Sequence, residues 1–208
     1  MNYNCLQSGC LVPNIEIVLA SGSPRRRELL QGLGLRLIID IPGIPENALP
    51  SELPEEHVIR LAKEKARSIA PKYAEKIVLA ADTAVVIDNH ILGKPVDKED
   101  ARRMLRIISN RWHTVYTGYC LIDTSTYREK SNVVSSQVFM RKLNGDQIDW
   151  YIDTGEPLDK AGAYAIQGIG AALVMNVKGS YTNVVGLPLA EVLFDIERMA
   201  NEENREHR

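Results

Sequence analysis

The longest apolar run of the chain, Ile77 to Ile87, carries an acidic residue near its centre. Apolar residues fill both halves of the run, and Asp82 with Thr83 interrupts it. The run is shorter than the ~20 apolar residues that span a bilayer, and it suits a buried strand. Burying a carboxylate costs free energy unless the group is paired or bound to a metal. We therefore predict a buried strand over 76–87 that holds a charged group, and we expect no membrane partner.

Helix and strand patterns alternate along the rest of the chain. An apolar run over 15–20 leads into Ser23 and Pro24, a good helix N-cap followed by a residue suited to the first helical position. Further strands are predicted at 91–92, 112–122, 130–143 and 171–177, and helices at 24–32, 55–70, 98–109, 146–154 and 187–201. This alternation predicts an α/β or α+β fold with one mixed sheet.

Length and charge limit the organisation and the partners. The 208 residues allow one large domain, which we place at 15–201 between a flexible extension over 1–14 and a charged tail over 202–208. The net charge of −2 disfavours a protein that grips a long nucleic acid. Three cysteines, Cys5, Cys10 and Cys120, form neither a disulfide framework nor a zinc motif. Cysteine usage fits a reducing, cytoplasmic location.

The segment from Ser21 to Arg26 is a candidate phosphate site. It follows the first strand and opens the first helix, where free N–H groups and the helix dipole favour anions. Gly22 allows close backbone approach, and the hydroxyls of Ser21 and Ser23 add donors. Arg25, Arg26 and a third arginine occupy the first turn, where acids usually stand. The alternative reading is an ordinary cap with solvated arginines.

Four further positions are candidates for chemistry. Asp82 is either a metal ligand or general base, or a structural acid bonded to a loop. Lys65 stands on the apolar face of its helix, so it either snorkels or points at an anion. Lys94 follows a predicted hairpin and is either a phosphate contact or a surface lysine. Gln167 lies in the Gly/Ala-rich loop 159–168, and its amide has the donor and acceptor needed to bind the edge of a nucleobase. The alternative reading is a glutamine whose amide only bonds within a turn.

Taken in order, these motifs resemble the Maf family of nucleoside triphosphate pyrophosphatases. The resemblance runs from Val18 to Leu193. It is carried by LASGSPRRRELL (19–30), RLAKEKA (60–66), AADTAVVIDNHILGKP (80–95), HTVYTG (113–118), DKAGAYAIQG (159–168) and GSYTNVVGLPL (179–189).

The resemblance implies a fold and an activity. The expected fold is a single elongated α/β domain similar to the inosine triphosphatases, with a mixed β-sheet flanked by helices and a cleft between two lobes. Members hydrolyse a nucleoside triphosphate between the α- and β-phosphates with a divalent metal, Mg²⁺ or Mn²⁺. The D-K-A-G-A-Y-x-I-Q-G form at 159–168 is similar to the subgroup that prefers dTTP and UTP. A homodimer is compatible with the family.

The resemblance also implies site residues. Asp82 matches the family's proton acceptor, and Arg25, Thr83 and Gln167 match positions linked to substrate specificity. The other matching polar positions of the cleft are Ser21, Arg26, Glu46, Lys65 and Lys94. We expect the cations, with Ser21 and Ser23, to bind the triphosphate, and Asp82 with Glu46 to hold the metal or orient water. Two alternatives stay open: a 7-methyl-GTP pyrophosphatase of the same fold, and a nucleotide-binding regulator of septum formation without turnover.

Overall fold

A computed structural model describes residues 15–206, with side chains described as far as residue 200. The predicted extension over 1–14 lies outside the described residues, as do positions 207 and 208. The strands are β1 (Glu16–Leu19), β2 (Arg36–Ile39), β3 (Ile77–Ile87), β4 (His90–Leu92), β5 (Trp112–Asp123), β6 (Glu129–Met140) and β7 (Val174–Lys178). The α-helices are α1 (Pro24–Gln31), α2 (Pro54–Ile69), α3 (Lys98–Ile108), α4 (Gly145–Asp153), α5 (Tyr181–Val185) and α6 (Leu189–Glu206).

The strands form one seven-stranded mixed sheet, which confirms the predicted fold class. Its order is β2-β1-β3-β5-β6-β7, and β4 pairs with β3 outside this path. Strand β1 runs parallel to both β2 and β3, and the remaining pairs are antiparallel. Helices pack on both sides of the sheet, as a sheet with two apolar faces requires.

The central strand β3 has a gap along one edge. Its first half pairs with β1 as far as Leu19 opposite Leu79, and its last part pairs with β4 from Val85 opposite Leu92. Between these ladders, positions 80–84 pair only with β5 among the described strands. The interrupting residues Asp82 and Thr83 therefore stand where the sheet opens.

Helix α2 lies across β3 and β5 at close range. Its apolar face is buried, and so is Lys65 on the same face. A Cβ added to Gly118 of β5 would stand 2.6 Å from the backbone oxygen of Val58, so the helix packs directly against the strand backbone. Only glycine at position 118 permits this approach. The approach sets how close Lys65 of α2 comes to β3.

Several predicted elements differ from the observed ones. Strand β2 was not predicted, because its short edge sequence is ordered by pairing with β1. The predicted strand over 171–177 begins only at Val174, since 168–173 forms a 3₁₀ segment. The helix α5 was also missed. Helix α6 continues to Glu206, beyond its predicted end at Asn201. Within the described residues, no helix has the length and apolar character needed to cross a membrane.

Candidate active site

A cleft of about 570 Å³ opens at the gap in the sheet. Its walls come from the β1–α1 loop, the loop after β2, the inner face of α2, the centre of β3, the segment after β4, and the segments 159–166 and 184–186. The cleft brings together nine of the predicted site residues: Ser21, Ser23, Arg25, Arg26, Glu46, Lys65, Asp82, Thr83 and Lys94. Its volume lies in the range of small-molecule sites.

Lys65 stands between two carboxylates. Its Nζ lies 2.7 Å from Asp82 Oδ1 and 2.5 Å from Glu46 Oε1. Lys65 and Asp82 are buried, whereas Glu46 is half-exposed. Burial raises the pKa of Glu46, but Lys65 outweighs it with Lys94 and Arg26, so the net pKa lies below its usual value. Of the two readings for Lys65, the structure supports the one in which it points at an anion.

Arg26 is buried and ties four parts of the chain together. Its Nε donates to Gly186 O at 2.8 Å, and its Nη1 donates to Ala81 O at 2.8 Å and Ser21 Oγ at 3.1 Å. Its Nη2 donates to Thr83 Oγ1 at 3.0 Å. Ala81 lies in the gap of β3, so the guanidinium satisfies a carbonyl that has no strand partner on that edge. Burial lowers the pKa of Arg26, and Asp82 opposes this effect.

Arg26 therefore offers fewer hydrogen bonds to a ligand than the sequence indicated. These four bonds use four of the five N–H donors of the guanidinium. One Nη2 donor and the positive charge remain for a ligand.

The hydroxyls of the two serines before α1 act as acceptors in the part of the chain that the structure describes. Ser21 Oγ accepts from the backbone N–H of Ser23 at 3.2 Å and from Arg26. Ser23 Oγ accepts from the backbone N–H of Arg26 at 3.5 Å, so it caps the helix as predicted. Because each hydroxyl accepts in these bonds, its own proton can be donated to a ligand.

The three arginines at the start of α1 have different environments. Arg25 is half-buried and lines the cleft, whereas Arg27 is exposed and does not. Burial lowers the pKa of Arg25, and the negative charges of Asp159 and Glu156 oppose that effect. The ordinary-cap reading with solvated arginines therefore suits only Arg27.

Thr83 lines the cleft, but its hydroxyl is engaged with the protein. It accepts from Arg26, lies 2.9 Å from Thr117 Oγ1 and donates toward Gly186 O at 3.4 Å. Gln167 does not line the described cleft. It is half-buried and directly follows Ile166, which does line it.

The structure adds cleft residues to which sequence reasoning gave no individual role. His57 lines the cleft and holds Glu52 through Nδ1 at 3.0 Å. With Lys65 it shares a face of α2 at a spacing of two helical turns, a signal that could have identified it. Tyr164 also lines the cleft, and its hydroxyl lies 2.7 Å from Nε2 of the buried His113. Asp159 and Lys160 also line the cleft, and they form an ion pair near Arg25.

The carboxylates suit a divalent cation that arrives with a phosphate ligand. The described residues contain no group of three or more His, Cys, Asp or Glu side chains placed to hold a metal ion. Asp82 and Glu46 both pair with the Nζ of Lys65, so these two oxygen-bearing groups lie close together in the cleft. Mg²⁺ is commonly bound by one or two carboxylates together with substrate phosphates. The donor set fits such a site.

Comparisons with known protein families and with known proteins lead to the same family. The family described as Maf-like protein matches residues 16–199. A dTTP/UTP pyrophosphatase of Anaeromyxobacter dehalogenans (strain 2CP-C) is 54% identical over 177 residues, 84% of this chain and 89% of that protein. A dTTP/UTP pyrophosphatase of Syntrophotalea carbinolica is 49% identical over 185 residues, 88% of this chain and 84% of that protein.

One solved structure, that of the Staphylococcus aureus Ham1 protein, is similar at a TM-score of 0.47 and 14% identity. The match covers 91% of this chain and 99% of that one. The family match and the two relatives each span more than four-fifths of the chain. The chain belongs to the Maf family.

Proposed function

We propose that this chain hydrolyses dTTP and UTP between the α- and β-phosphates, releasing the monophosphate and pyrophosphate. The observation that carries the proposal is the buried Lys65–Asp82 pair, placed with Glu46 at the floor of a cation-lined cleft. The names of the relatives, dTTP/UTP pyrophosphatase, support the same substrates. A buried acid of this kind costs stability and therefore suits a chemical role.

Phosphate binding belongs to the cations and the start of α1. Arg25 and Lys94 line the cleft from opposite sides of the β3 gap, and they offer charge-assisted bonds to phosphate oxygens. The hydroxyls of Ser21 and Ser23 donate at the positive end of the α1 dipole. Arg26 contributes its charge and one remaining donor. Lys65 adds charge close to the reacting group.

Asp82 acts on the attacking water. Its Oδ1 is held by Lys65, which fixes the carboxylate at the cleft floor. As a water oxygen bonds to the α-phosphorus, the carboxylate takes the water's proton. The bridging P–O bond breaks, and pyrophosphate leaves with that bond's electron pair. Fixed cations stabilise the charge that develops on the phosphate oxygens, which is usually the largest contribution.

Asp82 and Glu46 would hold a divalent cation, Mg²⁺ or Mn²⁺, which supplies further charge neutralisation on the phosphates when bound. Base selection is assigned to Arg25, Thr83 and Gln167. The Gln167 amide offers both a donor and an acceptor to a pyrimidine edge. The cytoplasmic location and the homodimer stay predictions.

The test is product release from a nucleotide panel: dTTP, UTP, CTP, GTP, ATP and 7-methyl-GTP, each with and without Mg²⁺. The proposal predicts metal-dependent pyrophosphate release that favours dTTP and UTP. Activity confined to 7-methyl-GTP would keep the chemistry and overturn the assigned substrates. Tight binding of nucleotides without any release would instead favour a regulatory binding protein.

A further inference from the structure

The loop that carries Gln167 closes around a single carboxylate. Glu156 Oε2 accepts from the backbone N–H of Ile169 at 2.9 Å, and Oε1 accepts from that of Gly170 at 2.8 Å. A Cβ added to Gly168 would stand 2.5 Å from Glu156 Oε2, and Gly168 has φ +65°. Only glycine at this position lets the backbone wrap so closely around the acid.

The other end of the loop is fastened to the same group through a tyrosine. Tyr151 is fully buried, and its hydroxyl donates to Glu156 Oε1 at 2.8 Å. The same hydroxyl accepts from the backbone N–H of Ala165 at 3.2 Å. Tyr151 and Glu156 thus hold both ends of a turn whose middle consists of Ile166, in the cleft wall, and Gln167.

Glu156 is ionised as it accepts the hydrogen bonds that hold this turn. Burial raises its pKa, but the two backbone N–H groups and the Tyr151 hydroxyl outweigh burial, so the net pKa lies below its usual value. A carboxylate that accepts three bonds is a rigid anchor, because bonds to a charged acceptor are stronger than neutral ones. The same charge also acts on the guanidinium of Arg25 and raises its pKa, against the effect of burial. Glu156 itself does not line the described cleft.

We propose that Glu156 is a positioning residue for base selection: it fixes the 165–167 turn, whose Ala165 and Ile166 line the cleft, so that the adjacent Gln167 meets the base. This rests on the proposed function, since the role of Gln167 belongs to that proposal. The bases selected are pyrimidines whose polar edge carries a carbonyl group where cytosine carries an amino group. Glu156 acts through the loop and touches no reacting atom.

The test compares Glu156→Gln with wild type on UTP and CTP, which differ only in the base. The amide would turn an NH₂ group toward a backbone N–H, so at least one anchor bond is lost. We expect the UTP-over-CTP ratio of kcat/KM to fall about tenfold, the effect of one buried hydrogen bond lost with its partner left unpaired. Inhibition by UMP should weaken in step, while inhibition by pyrophosphate should stay at the wild-type level.

A double-mutant comparison separates positioning from general damage. If Glu156 acts through Gln167, the variant Glu156→Gln/Gln167→Ala should be no less selective than Gln167→Ala alone. The matched control is Glu129→Gln, which removes another carboxylate, paired with Arg67 at 2.7 Å outside the cleft. This control should keep wild-type selectivity, and all variants are compared by thermal unfolding.

The outcomes distinguish this proposal from the proposed function. Unchanged selectivity in Glu156→Gln, or independent losses in the double variant, would overturn the positioning role alone. An equal loss of UMP and pyrophosphate binding would also overturn it, because that pattern indicates collapse of the whole cleft. Wild-type protein that releases no pyrophosphate from UTP would overturn both proposals together.

Discussion

Lys65 and Asp82 meet across the interface of α2 and β3, with 2.7 Å between Nζ and Oδ1. Both residues are less than a tenth exposed. Glu46 joins them from a solvent-facing loop, so a single ammonium serves two carboxylates. This pairing offsets the free-energy cost of burying the Asp82 carboxylate inside the sheet. The carboxylate remains at the floor of the cleft.

The two members of this pair should differ in their effect on stability. Lys65→Met leaves two carboxylates without their cation, and we expect the free energy of unfolding to fall by about 3–5 kcal/mol. Asp82→Asn leaves Lys65 paired with Glu46 and should cost far less. The double variant should recover part of the loss of Lys65→Met, because the buried negative charge is gone as well. Urea unfolding measures all three, and equal losses in the two single variants would contradict the account.

The neighbouring arginines Arg25 and Arg26 should separate binding from folding. Arg26→Lys keeps the charge but cannot reach Ala81 O and Gly186 O together, and we expect a loss of about 3 kcal/mol in unfolding free energy. Arg25→Lys should leave stability near wild type and raise KM for dTTP, because Arg25 makes no comparable set of internal bonds. Thermal unfolding and steady-state kinetics on both variants check this. Similar stability in the two variants would show that the Arg26 bonds do not hold the cleft together.

Gly118 should couple core packing to activity. Gly118→Ala forces a Cβ against the backbone of Val58, and we expect a loss of about 1–3 kcal/mol from overpacking. The displaced helix carries Lys65, so kcat should fall as well. Gly145→Ala is the control, since a Cβ there meets nothing within 4 Å. That variant should keep wild-type activity, and a fully active Gly118→Ala would contradict the close approach of α2.

His113 should give the protein an acid-sensitive contribution to stability. Burial lowers the pKa of His113 to about 4 from 6.5. Between these values the unfolded chain binds the proton more readily, so this contribution is full above pH 6.5 and falls as the pH drops toward 4. The span corresponds to about 3 kcal/mol.

The variant His113→Phe tests this pH dependence. Unfolding free energy measured from pH 7 to pH 4 should fall less steeply in the variant than in wild type. The exposed His90 provides the control, since His90→Gln should retain the wild-type slope. Parallel slopes for wild type and His113→Phe would mean that the imidazole takes up its proton without cost in the folded state.

The sequence predicted the elements that have local signals. Ser23 caps α1 before Pro24, as expected, and Asp97 caps α3 through the N–H of Asp100. The hairpin predicted before Lys94 also forms, and Asp88 and Asn89 of its turn both have positive φ. In each case the structure depends on side chains that lie within a few residues of the backbone they fix.

The missed features depend on contacts between distant parts of the chain. Helix α5 is held in place because Thr117 of β5 donates to the Asn183 carbonyl and the Asn183 amide donates to acceptors on β5 and β6. No local pattern reveals these contacts. Residues 168–173 form a 3₁₀ segment, and Glu156 holds Ile169 and Gly170 within it. Likewise, the sequence marked Lys65 and Asp82 as unusual one by one, whereas their pairing required the packing of α2 on β3.

The most direct test of the account is pyrophosphate release from dTTP by Asp82→Asn, with dTTP binding measured on the same protein. Asparagine preserves the shape of the side chain but cannot accept the proton of the attacking water. The account predicts wild-type folding, retained dTTP binding and a kcat lowered by about 10²–10⁴-fold. Near-normal turnover by Asp82→Asn would contradict the central assignment.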